Sequence, residues 1–130
     1  SIADIAVPIF CVATTTDHVA PWRSVYKLHL LAETAISFVL TTGGHNAGII
    51  SRPGDPDRSF RIASTAKGAP YQSPDAWLAH AQTRDGSWWP AWVRWLSAAS
   101  GKPVTPPVLG TSQGDLRAIA PAPGSYVFQR

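Results

Sequence analysis

Asp17-His-Val-Ala-Pro-Trp22 and Gly43-Gly-His45 decide how this chain is read. An apolar run leads into each. Ala6-Val-Pro-Ile-Phe-Cys-Val-Ala13 precedes the aspartate, and Ala35-Ile-Ser-Phe-Val-Leu-Thr41 precedes the histidine. Near-continuous apolar runs of this length are the pattern of strands buried on both faces of a parallel sheet. Between them, Pro21 to Leu31 has helical spacing, with Val25, Leu28 and Ala32 on one face. The order is strand, acid, helix, strand, histidine. In an open α/β sheet, ligands and chemistry collect at the carboxyl ends of the strands. Asp17 and His45 fit the second and third members of a triad whose chain order is nucleophile, acid, histidine. Two glycines before His45 permit a sharp turn that presents an imidazole at a strand end. The expected fold class is α/β, with parallel strands and flanking helices. No nucleophile precedes the acid in a suitable setting. Cys11 lies mid-strand and reads as a small buried hydrophobe.

Composition narrows the field. A chain of 130 residues is about one domain with room for a core. Only 15% of it is charged, against about 25% in a typical soluble domain, which points to surface meant for cover by more protein. The net charge of +3 comes from scattered basic residues, so nucleic acid is not an expected partner. One cysteine excludes an internal disulfide and fits a reducing compartment. No stretch has the roughly 20 apolar residues of a membrane span. The histidines stand apart, so neither a metal nor another cofactor is expected. The chain has no methionine and no signal peptide, and reads as a piece of a longer polypeptide.

Further along, 51–57 is a loop rich in Pro, Gly and Asp, and Ser59 to Ala63 alternates as a short exposed strand would. Ser73-Pro74-Asp75 starts a helix expected to reach about Gln82. Ser87 is expected to cap a second helix, Trp88 to about Ala99. Five of the six tryptophans lie in these two helices. They read either as packing against the body of the protein or as an apolar contact surface. Residues 1–101 are taken as the main body and 102–130 as an extended arm rich in Pro and Gly, with a short strand closing it near 121–128. Gly110-Thr-Ser112-Gln-Gly114 matches the G-x-S-x-G elbow. It lacks the flanking strand and helix and follows the histidine, so Ser112 is set aside.

Several motifs together resemble the polyhydroxyalkanoate synthases. They are Asp4-Ile-Ala-Val-Pro8, Asp17-His-Val-Ala-Pro-Trp22 with Ser24 and Tyr26, Gly44-His-Asn-Ala-Gly48, Gly86-Ser-Trp-Trp-Pro-Ala-Trp92 and Ala122-Pro-Gly-Ser-Tyr-Val127. The Gly-Ser-Trp-Trp-Pro run and the ending look most like the single-subunit class I type. The resemblance implies the C-terminal part of an α/β-hydrolase-like fold with Cys-Asp-His covalent catalysis. Such an enzyme polymerises (R)-3-hydroxyacyl-CoA into polyester and releases CoA. It implies that Asp17 and His45 are the acid and base, and that His18 stands at the substrate mouth or serves as a structural hydrogen-bonding residue. It also implies a homodimer on a polyester granule in the cytoplasm. The family's nucleophile sits in a G-x-C-x-G elbow, which this chain does not contain. Asn46 and Ser51-Arg-Pro-Gly depart from the family pattern around the pocket. The alternative is a non-catalytic module that dimerises or docks through its tryptophan helices and an exposed strand edge.

Overall fold

The computed structural model describes residues 1–107 and 119–129. They form two compact units, Ser1–Ser100 and Gly101–Arg130. Four strands make one sheet in the first unit: β1 (Ile9–Thr14), β2 (Ile36–Thr41), β3 (Ser59–Thr65) and β4 (Gln82–Asp85). Their spatial order follows the sequence. β1 and β2 are parallel, and Ile9 stands opposite Ile36. β3 is antiparallel to β2, and β4 is antiparallel to β3. The sheet is therefore mixed, and only its first pair is parallel as the sequence led us to expect. The α/β class holds, with helices α1 (Trp22–Val25), α2 (Leu28–Leu31), α3 (Pro74–His80) and α4 (Trp89–Ala99) flanking the sheet.

Strand periodicity divides the core into two layers. Ile36, Phe38 and Leu40 of β2 and Ala13 of β1 pack with Tyr26, Trp77 and Ala81 on the face covered by α1 to α3. Val39 and Phe60 face the other way, against Trp88 and Ala91 of the α4 region, with Phe10, Val12 and Ile62 beside them. Both apolar runs thus serve two layers at once, which is why neither alternates in sequence. Trp77 and Tyr26 are 1% exposed, and T-shaped contacts with Phe38 centre the first layer.

Several expected elements change. The segment Pro21 to Leu31 is not one helix but two single turns. At Lys27 and His29 the backbone bonds reach back only three residues, to Ser24 and Tyr26. Residues Ser59–Thr65 form an interior strand, not an exposed one, because β4 covers its outer edge. Helix α3 stops at His80, and Gln82–Asp85 turns out to be a strand. All four residues of β4 are exposed, so it carries no apolar alternation from which it could be recognised. Ser73 caps α3 as expected, accepting from the Ala76 N–H at 3.2 Å. In the second unit, Tyr126–Phe128 is a 3-10 turn where a strand was expected. Pro121 and Pro123 lack the N–H groups that a strand ladder requires. Ser112 lies outside the described residues.

Candidate functional site

β1 and β2 end side by side at Thr14 and Thr41, and each continues into a turn. Ladder-like bonds persist past the strands, from Thr15 N–H to Thr41 O at 2.9 Å and from Thr16 N–H to Gly43 O at 3.2 Å. They hold the two connections together. Asp17 ends the first turn and His45 the second. His45 Nδ1 lies 2.9 Å from Asp17 Oδ2. The carboxylate can only accept, so Nδ1 is the donor, and in the neutral imidazole that leaves Nε2 with its lone pair.

Asp17 is itself fixed. Its Oδ1 accepts from the backbone N–H of Val19 at 2.8 Å and of Ala20 at 2.9 Å. The Ala20 N–H, the His45 ring and the Val19 N–H together hold the carboxyl down at about 2, against 3.8 for a free aspartate. Its side chain is 9% exposed, whereas that of His45 is 52% exposed. An anchored acid thus orients an imidazole whose other nitrogen is open to an incoming group.

The turn that carries His45 doubles back tightly. Gly43 has φ of +111°, in the region that favours glycine, and a Cβ there would lie 2.8 Å from Gly48 Cα. A Cβ on Gly48 would lie 2.5 Å from Thr14 Cγ2. The Gly43-Gly44 pair was legible in sequence as a sharp turn. The closure of the loop on Gly48 was not, because it depends on a contact with β1.

His18 is exposed and makes no side-chain hydrogen bond among the described residues. The structure places it beside Asp17 without joining it to the acid–histidine pair. Cys11 is half-buried in β1, and burial pushes its thiol up to about 11. That is the wrong direction for a nucleophile, as its mid-strand position led us to expect. His29 stacks on Tyr26 with ring centroids 4.1 Å apart, and burial lowers its pKa. It belongs to the core layer under α2. Among the described residues no three His, Cys, Asp or Glu side chains cluster as metal ligands. No described helix is long and apolar enough to cross a membrane.

Fold and site together define an α/β unit whose parallel strand tips hold a carboxylate-oriented imidazole. No family model matches the chain. It is 39% identical over 127 residues to the poly(3-hydroxyalkanoate) polymerase subunit PhaC of Cupriavidus necator, which covers 97% of this chain and 20% of that protein. It is 38% identical over 121 residues to poly(3-hydroxyalkanoate) polymerase 2 of Ectopseudomonas oleovorans, covering 93% of this chain and 21% of that protein. The polymerase of Methylorubrum extorquens is 37% identical over 124 residues, covering 95% of this chain and 20% of that protein. Over nearly its whole length the chain is similar to a segment of these poly(3-hydroxyalkanoate) polymerases, and it spans about a fifth of their length.

Proposed function

We propose that this chain supplies the acid and the general base of a polyhydroxyalkanoate synthase of the class I type, as the C-terminal part of its α/β-hydrolase-like catalytic domain. The observation that carries the reading is the 2.9 Å hydrogen bond between His45 Nδ1 and a doubly anchored Asp17. A free thiol, with pKa near 8.5, is mostly protonated at neutral pH. On this reading His45 Nε2 removes the proton of a cysteine contributed by the rest of the synthase. The thiolate attacks the thioester carbonyl of (R)-3-hydroxyacyl-CoA, the CoA thiolate leaves and takes the proton back from the imidazolium as CoA-SH, and an acyl-cysteine thioester forms. Nε2, free again once its proton has passed to the departing CoA, next takes the proton of an incoming 3-hydroxyl. The hydroxyl oxygen attacks the acyl-cysteine carbonyl, forms the ester bond of the polymer and expels the cysteine thiolate, which the imidazolium reprotonates. Asp17 fixes the tautomer and stabilises the imidazolium formed at each step.

His18, exposed beside the acid, lies at the mouth through which the CoA ester enters. The partners are the acyl-CoA, the growing polyester and its granule, and a second copy of the enzyme. The location is the cytoplasmic granule surface. The relatives' names support the polyester chemistry. A docking module would need no such acid–imidazole geometry, and this favours the catalytic reading over a contact role.

The test is a full-length synthase carrying this segment, assayed for CoA release from 3-hydroxybutyryl-CoA. His45→Ala is expected to fold and to lose on the order of 10³-fold or more in turnover. Near-normal turnover in that variant would overturn the assignment. His18→Ala is expected to raise KM and leave most of kcat.

A further inference from the structure

The Gly86-Ser-Trp-Trp run is not used by the chemistry above, yet three of its side-chain donors converge on one place. Ser87 Oγ donates to the Ser51 carbonyl. Trp88 Nε1 donates to the Gly48 carbonyl at 3.2 Å, and Trp89 Nε1 donates to the Ile49 carbonyl at 2.9 Å. All three acceptors lie in the loop that follows His45. That loop has only short-range backbone bonds of its own: Gly48 N–H to Gly44 O, Ile49 and Ile50 N–H to Asn46 O, and Ser51 N–H to Ile49 O. Ser87 is doubly engaged, because its Oγ also accepts from the Trp89 N–H at 3.2 Å at the start of α4.

We propose that Ser87, Trp88 and Trp89 are positioning residues, a three-point clamp by which α4 holds the His45 loop against the β1–β2 strand tips. The loop can leave the sheet only by giving up all three bonds. The glycine contacts explain why an external clamp is required. Gly43 and Gly48 allow the loop to close on Thr14, and they give it no side chains with which to grip the sheet. The indoles reach across from the helix and supply the missing donors. Trp88 is 7% exposed and is held by the second core layer, so its Nε1 is a fixed point. Trp89 is 37% exposed, which is high for a tryptophan retained only for packing. Its bond to Ile49 gives it a task that burial does not.

The catalytic meaning of the clamp rests on His45 being the base, whereas its existence can be tested without turnover. Hydrogen exchange and imidazole NMR on the 130-residue chain would compare Trp89→Phe and Ser87→Ala with Trp92→Phe. Trp92 is a control on the same helix, packed among the same rings but making no bond to the loop. Trp89→Phe and Ser87→Ala are expected to speed exchange at residues 46–51 by about five- to tenfold each, leave β2 amides protected and broaden the His45 Nδ1–H signal. Trp92→Phe should do none of these. Unchanged exchange in both clamp variants would overturn the proposal, as would an equal effect from Trp92→Phe. If Ser87→Ala unfolds, the half-exposed Trp89 still decides the matter. In a synthase carrying the segment, Trp89→Phe should lower kcat and leave KM nearly unchanged. Loop loosening without that loss would leave the clamp standing and count against His45 as the base.

Discussion

Asp17 is held by three donors, and two of them are backbone N–H groups of its own turn. That arrangement makes a prediction about acid. The folded carboxyl sits at about 2 and the free one at 3.8, so unfolded chains bind this proton first as pH falls. The stability it contributes is fully present above 3.8 and is lost as pH drops toward about 2. Asp17→Asn should remove that part of the acid sensitivity, so wild type and variant should converge in acid-denaturation curves through this window. A constant gap between the curves would contradict it. In an active synthase the same substitution should cost about 10²- to 10⁴-fold in turnover, because an amide can bind the wrong tautomer of His45. Gly48 gives a second prediction at this scale. Gly48→Ala would place a Cβ 2.5 Å from Thr14 Cγ2 and 3.0 Å from the Thr42 carbonyl. Equilibrium unfolding in urea should show a loss of about 1–3 kcal/mol, the usual cost of forced overpacking.

At the scale of elements, what could be read in sequence follows from where each face points. β1 and β2 were legible because each packs apolar side chains into both core layers, and Asp17 and His45 were legible because each follows such a run within a few residues. β4 was not, since Gln82-Thr-Arg-Asp85 packs nothing apolar and exists only by pairing with β3. The interior place of β3 went unread for the same reason, since its outer neighbour was invisible. The clamp was half-read: Ser87 and the tryptophans stood out, but their acceptors are backbone carbonyls about 40 residues away, which no spacing rule reaches. Arg61 illustrates a role visible only in three dimensions. It leaves β3 on the α3 side and donates from Nη1 to the Leu78 carbonyl at 3.0 Å and the Ala81 carbonyl at 3.4 Å, both at the α3 C-terminus. There it satisfies carbonyls that the helix leaves without partners and places positive charge at the negative end of the helix. Arg61→Ala should destabilise the fold by about 1–2 kcal/mol and raise hydrogen exchange in α3 before β2. Uniform loosening of both elements would argue against a local cap.

At the scale of the molecule, the two edges of the sheet differ in kind. β4 presents Gln82, Arg84 and Asp85 in an exposed, charged strand, the sort of edge that resists further pairing. β1 has a neighbour only on the β2 side among the described residues, and its Ile9-Phe-Cys-Val12 run is apolar and half-buried. An apolar, uncharged edge invites a further strand; on the function proposed above, that strand would come from the rest of a synthase. The same geometry accounts for the low charged fraction, since part of this surface would be interior in a longer protein. A complementation experiment follows. The Cupriavidus necator polymerase lacking its matching segment should bind this chain in trans, seen as co-elution on size exclusion, and should regain CoA release. Adding the His45→Ala chain should restore the co-elution and not the activity, which separates docking from catalysis. Two well-folded fragments that never associate would remove the β1 edge as the joining surface.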